Sequence, residues 1–211
     1  MDIPQEYLAP AGFGEAELVE KRSRFIARVW PVASEAEALA RLAEMRRQHR
    51  DATHNVFACI IRGGPTRCSD DGEPQGTSGQ PTLNVFQSEN IENVCCVITR
   101  YYGGTPLGAG GLVRAYSRAA KLALDKAGIT RMRQWRVLLI PCPYALYERV
   151  KQRVEACGGF VESTDFGAEV LLKALVPVDF APDCARGIAD LSAGGIEVTV
   201  ADTIFRGGGP A

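Results

Sequence analysis

Val94-Cys95-Cys96-Val97-Ile98-Thr99-Arg100-Tyr101-Tyr102-Gly103-Gly104-Thr105-Pro106-Leu107-Gly108-Ala109-Gly110-Gly111-Leu112-Val113-Arg114 runs from an apolar segment through a glycine-rich loop into a periodic one. Val94 to Thr99 has the length and the unbroken apolarity of a central strand. From Leu112 to Lys126 the apolar side chains Leu112, Tyr116, Ala119 or Ala120, Ala123 and Ala127 recur on one side of a helix, and Gly128 is its C-terminal stop. A strand feeding a helix through a loop places this half of the chain among folds that mix the two.

Working outward toward the N-terminus, Val56 to Ile61 is a second continuous apolar run, stopped by Gly63-Gly64-Pro65, and His54 enters that strand at its beginning. Ser34-Glu35-Ala36-Glu37 is a capping box, followed by Leu39, Leu42 and Ala43 at helical spacing up to about Arg50. Ser23 to Trp30 alternates at Phe25, Ala27 and Val29 as a strand with one buried face, and Thr82 to Glu89 reads as a short helix. Toward the C-terminus the pattern is strand (Arg136 to Pro141), helix (Tyr144 to Cys157), strand (Gly159 to Asp165), strand (Ala168 to Val176), helix (Asp179 to Ser192), strand (Ile196 to Phe205). That βαββαβ order is the order of a ferredoxin-like sandwich. The expected fold class is therefore α+β in two domains, 1–129 and 130–206, with a flexible tail over 207–211.

The chain has 211 residues, 46% hydrophobic and 23% charged, ordinary for a globular protein. Its formal net charge is -1, and residues 1–129 carry 15 basic and 15 acidic side chains, leaving 9 and 10 for the rest. Neither half is a basic module, which argues against a DNA-coating protein. No apolar run reaches the length of a membrane span and the start Met1-Asp2-Ile3-Pro4-Gln5-Glu6 is acidic, so a cytoplasmic location with no membrane partner is the expectation. Seven cysteines without Cys-x-x-Cys spacing read as reduced, buried small hydrophobes.

Two loops carry the candidate chemistry. Ser69-Asp70-Asp71-Gly72-Glu73-Pro74-Gln75-Gly76-Thr77-Ser78-Gly79-Gln80-Pro81 crowds three carboxylates into four residues. Such crowding calls for a cation, whether Mg²⁺, an arginine or a helix N-terminus, and it also reads as a solvated turn. In the second loop Gly103, Gly104, Gly108, Gly110 and Gly111 put five glycines in nine residues. Where such a loop opens a helix its free N–H groups make an anion site that Arg100 and Arg114 would reinforce; tight packing against the sheet explains the glycines equally. His54 is a candidate general base with Asp70 or Asp71, or an inert hydrogen-bonded histidine, and Asp70, Asp71 and Glu73 are the candidate catalytic carboxylates.

Asp51-Ala52-Thr53-His54-Asn55, Ser69 to Thr77, Val97-Ile98-Thr99-Arg100-Tyr101-Tyr102-Gly103-Gly104 and Leu107 to Tyr116 resemble the signatures of the IMPACT family, in particular its bacterial two-domain members. The resemblance implies an N-terminal ribosomal protein S5 domain 2-like fold and a C-terminal domain similar to the last domain of elongation factor G. It implies regulation of translation initiation for the eukaryotic members, through competition for a protein partner of a stress kinase. Those members carry a different N-terminal module that is absent here, so their circuit does not transfer. For the bacterial members it implies a role connected with translation or RNA. Pro106 departs from the lysine or bulky residue of many relatives at this point in the loop, which weakens a basic contact there.

Three functions follow as expectations. The first is a non-enzymatic binding protein that engages the ribosome, RNA or a translation-related protein. The second is a metal-dependent hydrolase or phosphoryl-transfer enzyme, with Asp70, Asp71 and Glu73 holding Mg²⁺ and Gly108 to Gly111 receiving phosphate. The third is a protein–protein adaptor whose loops are structural.

Overall fold

A computed structural model describes residues 6–208. It is a mixed α/β protein with two antiparallel sheets and five α-helices, and it divides into one compact unit of Tyr7–Arg131 and a second that begins at Met132.

In the first unit β1 (Tyr7–Pro10), β2 (Gly14–Glu20) and β3 (Ser23–Pro31) precede α1 (Glu35–Gln48). Then come β4 (His54–Ile60), β5 (Thr66–Ser69), α2 (Gly79–Ser88), β6 (Val94–Tyr101) and α3 (Ala109–Ala127). Its main sheet has the order β2-β3-β6-β4-β5, every neighbour antiparallel. The three central strands are buried on both faces, which is why β4 and β6 read as unbroken apolar runs. Phe25, Ala27, Val29, Val56, Cys96 and Ile98 pack against α2 and α3. Trp30, Phe57, Cys59, Cys95 and Val97 turn to the other side, where Ala38, Leu42 and Met45 of α1 meet them. The capping box forms: Ser34 Oγ accepts the Glu37 N–H, and the Glu37 carboxylate reaches back to the N–H of Ala33 at 2.7 Å.

The edge strands β2 and β5 were not expected. β2 alternates acidic side chains that are tied across the pair to arginines of β3, Glu17 to Arg24 at 2.8 Å and Glu15 to Arg28 at 2.6 Å, so its polarity hid it. β5 is exposed along its length, and Cys68 upon it is the one exposed cysteine, against the expectation that all seven are buried. α2 starts at Gly79, three residues before the expected Thr82, because Asp70 caps it from a distance.

The second unit contains β7 (Ile129–Cys142), which begins at the end of the first, then α4 (Tyr147–Ala156), β8 (Phe160–Phe166), β9 (Val170–Pro177), α5 (Ala181–Leu191) and β10 (Thr199–Gly207). Its strands lie in the antiparallel order β10-β7-β9-β8. Leu138, Ile140, Leu172, Val150, Val154, Cys184 and Ile188 form its core. Single 3-10 turns lead into α4 and α5, which accounts for the earlier starts expected of both helices. Ile196 is not in a strand: Ala193 (φ 51°) and Gly194 (φ 84°) turn the chain, and the Ser192 hydroxyl holds the Ile196 N–H at 3.0 Å. Gly207 corrects the expected tail, since it pairs with Met132 at the end of β10; residues 209–211 lie outside the described residues.

Candidate functional site

The two loops meet through Glu73. Its carboxylate is buried in the first unit, with its side chain 3% exposed, and one oxygen accepts from Arg100 Nη1 at 2.6 Å and from the Tyr116 hydroxyl at 2.7 Å. His54 Nε2 stands 3.9 Å from the same oxygen, while His54 Nδ1 donates to the Asp71 carbonyl at 2.8 Å. Cross-strand register explains the meeting, because His54 on β4 faces Arg100 on β6. Burial first, and the adjacent Glu73 carboxylate second, push the Tyr116 phenol far above its ordinary range, so it stays protonated as a donor.

Arg100 is therefore not a surface ligand. Its guanidinium lies 5.3 Å from the Phe25 ring and 5.4 Å from that of Tyr102, Nη2 donates to Ser23 Oγ at 3.3 Å, and Nε is buried without a hydrogen-bond partner. The same Ser23 hydroxyl accepts the N–H of Gly103 at 3.2 Å. Gly103 needs to be glycine here: a Cβ would stand 2.1 Å from the carbonyl carbon of Arg22.

The three carboxylates of the first loop point to three separate partners. Asp70 accepts from the N–H groups of Gly76, Ser78 and Gly79 and from the Ser78 hydroxyl, at 2.7 to 3.1 Å. Burial opposes its charge, and these donors outweigh burial, holding its carboxyl below the usual carboxylate range. Asp71 accepts the Asn55 N–H at 2.7 Å and pairs with Arg46. Glu73 is turned inward. Among the described residues no cluster of three His, Cys, Asp or Glu side chains converges as metal ligands would. With each carboxylate already engaged in a different direction, these residues do not fit the Mg²⁺ that the sequence had suggested. Arg67, beside the acidic loop in sequence, pairs with Glu35 at 2.8 Å.

The second loop is closed at one end and open at the other. Gly104 and Gly108 have positive φ, 82° and 75°, with open space around them, and Gly108, Ala109 and Gly110 are exposed at the start of α3. The first N–H groups of α3 have no intrahelical acceptor. The Arg114 guanidinium lies over Gly110, within 3.5 Å of where its Cβ would be, and Gly111 packs against Leu107. Arg118 follows one turn later on the same side. Beside them is the β2–β3 hairpin turn, where Glu20 pairs with Ser23 and the two turn residues Lys21 (φ 46°) and Arg22 (φ 65°) both have positive φ. Among the described residues Lys21, Arg22, Arg114 and Arg118 form no ion pair, a condition that Arg47, Arg50 and Lys126 of the same unit share, while Arg24, Arg28, Arg41, Arg46, Arg62, Arg67 and Lys121 are paired; what sets the four apart is that they gather beside the start of α3.

Residues 21–124 match the Impact N-terminal domain, and residues 140–194 match a domain of unknown function, DUF1949. The chain is 31% identical to IMPACT family member YigZ of Escherichia coli (strain K12), over 84% of this chain and 89% of that one. It is 37% identical to an IMPACT family member of Thermus thermophilus, over 82% of this chain and 96% of the relative. The chain belongs to the IMPACT family. Its likeness to Protein IMPACT of Mus musculus is 30% identity over 57% of this chain, and it covers 39% of that longer protein. A crystal structure of a hypothetical protein aligns over 94% of this chain and 98% of its own, with a TM-score of 0.59 and 29% identity. No described helix is long and apolar enough to cross a membrane.

Set against that membership, most polar residues of the signature hold one another. Thr53 Oγ1 takes the Tyr102 N–H, Asp71 takes Asn55, and Asp70 caps α2. Glu73 ties both loops to α3. Four exposed cations without ion pairs, Lys21, Arg22, Arg114 and Arg118, stand beside this framework. Sequence reading identified Arg114 and passed over Lys21, Arg22 and Arg118. The i, i+4 spacing of Arg114 and Arg118 was available in the sequence. The turn was not, because a two-residue turn with both φ positive ordinarily shows Asn-Gly or Asp-Gly.

Proposed function

We propose that this IMPACT-family protein is a cytoplasmic binding protein connected with translation, and that its first unit engages RNA or the ribosome. The observation that carries the reading is the group of four cations, Lys21, Arg22, Arg114 and Arg118, left without ion pairs around the open start of α3. In a chain of net charge -1 such a group is a local patch for a polyanion, where a bulk nucleic-acid coat would need charge along a whole face. Gly108, Gly110 and Gly111 add backbone donors beside Arg114, while Gly103, Gly104 and Arg100 shape the loop from behind. The link to translation comes from family membership and from what the resemblance implies for eukaryotic members.

We read the first unit as ribosomal protein S5 domain 2-like and the second as ferredoxin-like. Supporting the latter are its βαββαβ order and its antiparallel β10-β7-β9-β8 sheet. As a non-enzyme, the protein uses His54 and Glu73 to hold the loops together.

Sedimentation of the full chain with purified ribosomes, at about 50 mM and about 200 mM salt, tests the reading. Co-sedimentation at low salt that weakens steeply at high salt, and that Lys21→Glu with Arg22→Glu abolishes, is the expected result. A chain that stays in the supernatant at both salts overturns it.

A further inference from the structure

Beside the first two turns of α3 is a hollow of about 240 Å³. Its floor is apolar, made by Leu18, Leu107 and Ala115, and its rim carries Lys21, Arg114 and Arg118 against a single carboxylate, Glu20. We propose that this hollow binds one nucleotide unit. The phosphate sits on Lys21, Arg114 and Arg118, the base or sugar lies over Leu18, Leu107 and Ala115, and Glu20 accepts a hydrogen bond from a hydroxyl or amino group of the ligand. The inference rests on the anionic-partner reading of this surface and names the chemistry recognised there.

Size, charge and strain converge on it. Drug-sized ligands fill pockets of about 300 to 1,000 Å³, so this hollow is too small for a dinucleotide cofactor and suits one phosphate with one ring. Three cations and one carboxylate leave a surplus of two positive charges, the complement of a phosphate monoester. None of the three cations is neutralised by an ion pair among the described residues, so a ligand phosphate displaces no protein carboxylate. Lys21 is also held at a cost. It shares a two-residue turn with Arg22 in which both φ are positive, a conformation that L residues without special side chains disfavour. Backbone strain kept by a charged, exposed residue at the rim of a hollow points to use of that residue. The apolar floor separates this site from a bare phosphate site, where Leu18 and Leu107 would have nothing to cover.

A nucleotide unit has two sources, a free mononucleotide and a residue within single-stranded RNA. Fluorescence anisotropy of a labelled single-stranded RNA oligonucleotide with the full chain, competed by AMP, UMP or inorganic phosphate, tests the proposal and tells them apart. Arg114→Ala with Arg118→Ala is expected to weaken RNA binding at least tenfold. It should also reduce the salt slope by up to about 0.7, the value for one phosphate contact on a single strand. Arg47→Ala with Arg50→Ala removes the same charge from another exposed part of the unit and is expected to leave affinity within about twofold. AMP or UMP competing as strongly as RNA names the free nucleotide; weak competition against tight RNA names the strand. Equal losses in the two double variants, inorganic phosphate competing as well as AMP, or no binding of any probe would each overturn the site. The last result alongside intact ribosome co-sedimentation would overturn the hollow alone and leave the translation-linked reading standing.

Discussion

Glu73 carries a charge into a core otherwise made of Phe25, Ile98, Leu112 and their neighbours, and among the described residues its carboxylate meets side chains from β6, α3 and β4. Breaking a buried pair leaves the other charge uncompensated and costs about 3 to 5 kcal/mol. Glu73→Gln is therefore expected to lower the stability of the first unit by that amount in urea unfolding. Tyr116→Phe removes one neutral donor from the carboxylate and is expected to cost less, about 1 to 3 kcal/mol. A Glu73→Gln protein as stable as the parent would contradict the network. Asp70 adds a pH dependence. Its folded pKa lies below the unfolded value of about 3.9, so its contribution is present above that pH and is lost as pH falls through the folded value. The stability difference between the parent and Asp70→Asn should thus be constant above about pH 5 and shrink on acidification. If the difference holds constant down to the lowest pH at which the parent folds, the donors to Asp70 are not stabilising its charge.

Between elements, the β2–β3 turn sets stability against binding. Lys21→Asn with Arg22→Gly installs residues that accept positive φ and is expected to stabilise the first unit by roughly 1 kcal/mol, while removing one cation, Lys21, from the rim and a second, Arg22, from the same turn. A rise in the urea midpoint together with weaker RNA binding is the expected pair of readings; a fall in the midpoint would show that the turn is not strained. The same turn shows where sequence legibility ended. Val94 to Thr99 and Val56 to Ile61 were readable because both faces of β6 and β4 are covered, which leaves no polar alternation to confuse the pattern. α1 and α3 announced themselves through the Ser34–Glu37 box and Gly128. β2 escaped because Glu15, Glu17 and Glu20 look like solvent until Arg24 and Arg28 are placed opposite them, and register is a property of two strands. The candidate site was half legible for the same reason. The glycines and acids were visible as motifs, but the direction of each side chain was not. Arg100 and Glu73, separated by 27 residues, turned out to satisfy one another.

Across the whole molecule, the two units bury separate cores, and each holds one of the chain's 2 tryptophans. Trp30 packs with Val32, Leu42, Met45 and Phe57 between the first sheet and α1. Trp135 is 1% exposed in the second unit, edge-on to Phe160 at 5.4 Å, with its indole N–H donating to the Arg206 carbonyl at 3.0 Å. Each indole is thus a private reporter of its own core. Trp135→Phe leaves Trp30 to report the first unit, and Trp30→Phe leaves Trp135 to report the second. Introducing Glu73→Gln into both backgrounds separates local from global stability, because the buried charge it disturbs lies wholly within Tyr7–Arg131. If the units unfold as independent domains, the urea midpoint read by Trp30 falls and the midpoint read by Trp135 does not move. Equal shifts in both would mean that the chain unfolds as one cooperative body. The loops' buried network would then support the second unit as well as the surface that carries Lys21, Arg22, Arg114 and Arg118.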